Sequence, residues 1–80
     1  MRARVFVTLK QSVFDPQGKT IHDALQSLGY GNVADVRQGK FFEVSLEGVS
    51  AEQAQTTAEE IARKVLANPV IESFKVEVEK

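Results

Sequence analysis

His22 and Asp23 place an imidazole beside a carboxylate, the pairing in this chain that most invites a chemical reading. A metal centre needs several such ligands at workable spacing. His22 is the only histidine, however, and the chain has no cysteine. The pair therefore reads as part of a solvated helix face. Nucleophilic catalysis needs an activated hydroxyl or amine beside an orienting base. Ser12, Ser27, Ser45, Ser50 and Ser73 carry no such surroundings in sequence. Glu59-Glu60 falls on the outside of a predicted helix, where paired carboxylates usually meet water. No Gly-x-Gly-x-x-Gly or Walker sequence is present to cradle a phosphate.

The stretch Leu9-Lys10-Gln11-Ser12-Val13-Phe14-Asp15-Pro16-Gln17-Gly18-Lys19 is more informative. Asp15-Pro16 is a helix start, because Asp caps the first turn and Pro fits inside it. Val13 and Phe14 are bulky and apolar in a connection that should face water. They need a partner surface, in this domain or in another protein.

Eighty residues make one domain, spanning 1–80, too small to build a deep catalytic cavity. A hydrophobic fraction of 42% and a charged fraction of 26% are those of a globular chain. The net charge of −1, with basic residues spread throughout, argues against a nucleic-acid footprint. No segment reaches the length of a membrane span or shows a secretory signal. A cytoplasmic location with no membrane partner is the expectation.

The elements follow from periodicity. Arg2 to Lys10 alternates strictly, with Ala3, Val5, Val7 and Leu9 on one face, and reads as a half-buried strand. Pro16 to Leu28 carries Ile21, Ala24, Leu25 and Leu28 at helical spacing, and Gly29 is placed to end that helix. A second strand is expected from Val33 to Arg37, a reversal at Gln38-Gly39-Lys40, and a third strand with Phe42, Val44 and Leu46 inward. Ser50-Ala51-Glu52-Gln53 is a capping box opening a helix that should end near Ala67, ahead of Asn68-Pro69. Glu72 to Glu79 is the last strand, burying Phe74, Val76 and Val78.

This βαββαβ order predicts an α+β, ferredoxin-like fold: a four-stranded antiparallel sheet, order 4-1-3-2, with two helices on one face. The other face is left open, carrying Arg4, Phe6, Thr8, Phe41, Glu43, Ser45, Ser73, Lys75 and Glu77. Such folds serve many purposes, so each needs its own residues. Gly39-Lys40-Phe41-Phe42-Glu43-Val44 matches an RNA-binding strand motif poorly, since Glu43 would oppose the phosphate. Copper carriage would need cysteines, and acyl-phosphate chemistry would need a Gly-rich, Arg-bearing first loop. A small-ligand regulatory domain of this fold is the alternative function.

Four separated stretches then supply a family resemblance. Leu9-Lys10 with Val13-Phe14-Asp15-Pro16-Gln17-Gly18, Ala24-Leu25 with Leu28-Gly29-Tyr30, Val36-Arg37 with Gly39-Lys40, and Leu66-Ala67-Asn68-Pro69-Val70-Ile71-Glu72 together resemble the small PurS-type subunit of phosphoribosylformylglycinamidine (FGAM) synthase. The likeness runs over essentially the whole chain. It departs at Phe14, where the family pattern has Leu.

The resemblance implies a non-catalytic accessory subunit of a purine-biosynthetic ligase complex. That complex uses ATP, Mg and glutamine to convert formylglycinamide ribonucleotide (FGAR) to FGAM. This chain would bind no cofactor and turn nothing over alone. It would bridge glutaminase (PurQ-type) and synthetase (PurL-type) subunits and assist ammonia transfer, as a homodimer or a dimer of dimers. Docking residues carried over from the family are Lys10, Val13, Phe14, Asp15, Gln17, Gly18, Tyr30, Arg37, Gly39, Lys40 and Asn68. Val13 and Phe14 would anchor, and Arg37 and Lys40 would supply charged rim contacts.

Overall fold

In a computed structural model, which describes residues 1–79, the chain forms β1 (Arg2–Leu9), α1 (Pro16–Ser27), β2 (Gly39–Ser45), α2 (Ala51–Ile61), a π-helical turn (Ala62–Leu66) and β3 (Glu72–Glu79). The architecture is α+β. The alternation read from the sequence places β1 at the centre of an antiparallel sheet of order β2-β1-β3. Val5 stands opposite Phe42 on one side and Val76 on the other, and Val7 opposite Lys40 and Phe74. Ala3, Val5 and Val7 are fully buried on the inner face.

The caps form as their residue types dictate. The Asp15 carboxylate accepts from the Gly18 N–H at the start of α1, with Pro16 in the first turn. At the other end Gly29, at φ 98°, closes α1 as the Gly29 and Tyr30 N–H groups reach the Gln26 and Leu25 carbonyls. Ser50 and Gln53 make the reciprocal capping box of α2. Where α2 meets Ala62 the helix widens to a π turn, closed by the Ala67 N–H on the Ala62 carbonyl at 2.8 Å. That brings Ala62 and Ala67 into the same cluster with Val5 and Val7, beside Phe42, Leu66, Phe74 and Val76. Ala67 itself is extended, as expected ahead of Asn68-Pro69.

Two expectations need correction. The segment 33–37 joins no ladder, so the described residues form three strands rather than four. Nor does Gln38-Gly39-Lys40 reverse the chain, because Gly39 and Lys40 already pair with Thr8 and Val7 in β2. The reason is local. Residues 36–38 are held against the start of α1, which prevents them from folding back along β2. The second correction concerns α1. Only α2 lies along the sheet, over β1 and β3, while α1 projects away from it. Ile21 is 40% and Leu28 73% exposed. The chain is accordingly 50 × 26 × 14 Å, with a radius of gyration of 15.8 Å. A compact domain of this length would have about 12 Å.

The outer sheet face is open, with Phe6 and Phe41 stacked at 5.0 Å between ring centroids. Its charges pair within the chain, Arg2 with Glu43, Arg4 with Glu79 and Lys75 with Glu77. No helix among the described residues is long and apolar enough to cross a membrane.

Candidate docking surface

Three of the stretches that carry the sequence motifs meet at one end of the sheet, while the one ending at Tyr30 does not. β1 ends at Leu9, and the Lys10 N–H donates to the Ile71 carbonyl at 2.8 Å, tying the first loop to the entry of β3. The next residues form a turn, closed by the Val13 N–H on the Lys10 carbonyl at 2.9 Å. Arg37 reaches across from the chain before β2. One guanidinium nitrogen donates to the carbonyls of Lys10 and Val13, both at 2.9 Å. The two hydrogens of that one nitrogen serve one carbonyl each.

Asp15 makes the second tie. One carboxylate oxygen accepts from the Gly18 N–H at 2.9 Å and the other from the Gln38 N–H at 2.7 Å. Gly18 completes it by close approach, since a Cβ there would lie 2.1 Å from the Val36 carbonyl oxygen. The third loop is pinned by Lys40 and Glu72. Their charged groups lie 3.3 Å apart, and the Glu72 carboxylate also accepts from the Asn68 N–H at 2.7 Å. Asn68 in turn accepts from the Val70 N–H at 3.0 Å, an Asx turn that directs the chain past Pro69.

These bonds set the electrostatics. Asp15 titrates below its ordinary value, chiefly because the Gln38 and Gly18 N–H groups favour the ionised form, with Arg37 adding attraction. Glu72 is lowered by the Asn68 N–H and then by Lys40. A depressed carboxylate stabilises the fold above its unfolded pKa, about 4, and that contribution is lost as pH falls through the lower folded value. Acid unfolding followed by circular dichroism should therefore be shallower below about pH 4 in Asp15→Asn than in the unaltered chain, because one titrating group has been removed. An unchanged acid limb would show that Asp15 is not linked to folding.

The surface that results has a distinct distribution of exposure. Phe14 is 67% exposed, Val70 77% and Ile71 39%. Lys10, Gln17, Lys40 and Asn68 are exposed around them, and Gly39 lies in β2 at the same end. Val13 and Arg37 are half-buried. Asp15 and Gly18 lie inside the fold, where they hold the surface rather than form it. Arg37 likewise spends its guanidinium on this chain's own carbonyls. Tyr30, 55% exposed, sits apart at the far end of α1, about 18 Å along the helix axis.

Sequence reasoning missed Val36 and Gln38, which act through backbone atoms and so leave no mark in residue type. It also missed Ile71 and Val70 as exposed apolar neighbours of Phe14's loop, although both stand in the motif before the last strand. His22 is half-buried against Asp23 at 3.1 Å and Gln26 at 3.3 Å, on the flank of α1. Among the described residues no three His, Cys, Asp or Glu groups are placed to hold a metal ion. The arrangement leaves apolar and polar side chains exposed at one end of the sheet, where they are available for contact.

Comparison with known proteins agrees on one family. The model of the family described as "PurS: Phosphoribosylformylglycinamidine (FGAM) synthase" matches residues 2–80. The phosphoribosylformylglycinamidine synthase subunit PurS of Bacillus subtilis is 44% identical over 78 residues, covering 98% of this chain and 92% of the relative. The crystal structure of Methanocaldococcus jannaschii PurS superposes with a TM-score of 0.87 at 39% identity, covering 99% of this chain and 95% of that one. A chain from the structure of PurLQS of Thermotoga maritima superposes with a TM-score of 0.85 at 28% identity, covering 95% and 93%.

Proposed function

Because this chain belongs to the PurS family of FGAM synthase subunits, we propose that it bridges the glutaminase and synthetase subunits of that complex through the loop-bearing end of its sheet. The chain is a subunit of the FGAM synthase of purine biosynthesis. Its role in the conversion of FGAR to FGAM is to hold the two catalytic subunits in register for ammonia transfer. ATP, Mg and glutamine are bound by those partners, not by this chain.

One observation carries the bridging role. Three loops are cross-tied by Arg37, Asp15 and Glu72 so that Phe14, Val70 and Ile71 are presented to solvent by a fixed backbone. Exposed apolar side chains on a backbone already fixed suit docking, since little ordering remains to be done on binding.

The chain acts as a homodimer. The free edge of β2, the unpaired segment 33–37 and the bare apolar side of α1 are surfaces that one copy does not join. In a two-fold exchange, 33–37 of one copy lines the β2 edge of the other. α1 then covers the half of the inner face bearing Phe42 and Val44. The four-stranded order expected from the sequence is completed between two chains, in the closed symmetry usual for homo-oligomers.

Reconstitution tests the bridging role. Glutamine-dependent FGAM formation by glutaminase plus synthetase should require this chain, whereas ammonia-dependent formation by the synthetase should need it far less. Equal glutamine-dependent rates with and without it would refute the proposal.

A further inference from the structure

Phe14 is displayed by its two neighbours in sequence. The carbonyl of Val13, just before it, is held by Arg37 at 2.9 Å, and Asp15, just after it, accepts the Gln38 N–H at 2.7 Å. Both holds come from Arg37-Gln38. That dipeptide is continuous with β2 on one side and with 33–36 on the other. The latter stretch has little support of its own. The Val33 carbonyl accepts from the Gln26 side chain at 2.9 Å, and the Val33 N–H donates to Tyr30 at 3.2 Å. Among the described residues the backbone N–H groups of Ala34, Asp35, Val36 and Arg37 have no protein acceptor. A second strand laid along one side of this segment would satisfy the alternate donors that face it.

We propose that Arg37 is a positioning residue through which a second copy of this chain sets the aim of Phe14. When 33–37 pairs with the partner's β2, Arg37 is fixed in place. Its guanidinium then fixes the Lys10 and Val13 carbonyls, and the Phe14 loop takes its docking geometry. Without the second copy, Arg37 is held only through its neighbour Gln38 and the start of β2, and the outer clamp on the loop is weaker. The coupling is reciprocal, so whatever docks on Phe14 tightens the dimer. This inference rests on the homodimer proposed above.

Amide hydrogen exchange on the isolated chain, with mass measured by sedimentation at each concentration, tests it without any partner subunit. Ala34→Pro supplies a monomer if dilution does not, because it removes an edge donor at an exposed position while leaving Arg37 intact. Protection of the Val13 and Gln38 amides should fall about tenfold or more from dimer to monomer, with β1 amides unchanged. Arg37→Ala should lower the same two amides in the full dimer. Arg37→Lys, which keeps the charge but not the length and planarity of the guanidinium, should restore protection only in part. Protection that is equal in dimer and monomer would overturn the coupling and leave the homodimer standing. A chain that is monomeric at every concentration would overturn both.

Discussion

Phe14→Ser leaves the isolated chain folded, with a thermal midpoint within about 4 °C of the original, yet weakens binding to the synthetase or glutaminase subunit about thirtyfold. The first half follows from exposure. At 67% accessible, the ring contributes little to the chain's own core, and surface substitutions usually change stability by no more than about 0.5 kcal/mol. The second half follows from what a rigidly held aromatic does at an interface. Truncating such an anchor typically costs about 2 kcal/mol or more of binding. Calorimetry on the free variant and titration with each partner separate the two effects. A midpoint lowered by more than about 8 °C would make Phe14 a core residue after all. An unchanged affinity for both partners would remove it from the docking surface.

Gly18→Ala should be the most damaging single methyl in the chain. Helix propensity alone predicts a gain, since alanine is better than glycine in a helix by about 1 kcal/mol. The structure predicts the opposite sign. The added Cβ would lie 2.1 Å from the Val36 carbonyl oxygen and 2.8 Å from the Asp15 carboxylate. Neither is the free end of a flexible side chain, so the start of α1 and residues 36–38 must part. Overpacking of this kind costs about 1–3 kcal/mol, a fall in midpoint of roughly 5–20 °C for a domain of this size. Heating monitored by circular dichroism gives the sign directly. A midpoint at or above that of the parent would show that the contact relaxes without loss.

The parts of this fold that were legible in the sequence are those fixed by neighbours along the chain. Alternation in Arg2–Leu9 and Glu72–Glu79, the Asp15 cap, the Ser50-Gln53 box, Gly29 and the stop at Asn68-Pro69 all act within a few residues. Val33–Arg37 read as a strand because Val33 and Val36 flank a short run beside a glycine-bearing turn. Whether such a run pairs depends on an edge elsewhere, and nothing local reports where that edge is. Ile21, Leu25 and Leu28 likewise announce a helix with an apolar face but not which sheet it covers.

The candidate docking residues divide on the same principle. Phe14, Lys10, Gln17 and Lys40 are exposed. Asp15, Gly18 and Arg37 belong to the supports beneath it. A carboxylate, a glycine and a guanidinium look the same in sequence whether they face a partner or a carbonyl of their own chain. Only the position of Gln38 and Val36 across the loop decides between the two.

A body 14 Å across its thinnest dimension also limits what one copy of this chain could enclose. Its largest fully buried side chains are Val5 and Val7, and they are spent sealing the sheet against α2. There is no depth in which to bore a tunnel lined on all sides by one copy. Any conduit that uses this chain is therefore a seam, walled on one side by its surface and on the other by a neighbour. Such a passage exists only while the neighbours are seated, so ammonia released from an unassembled complex would escape to bulk water.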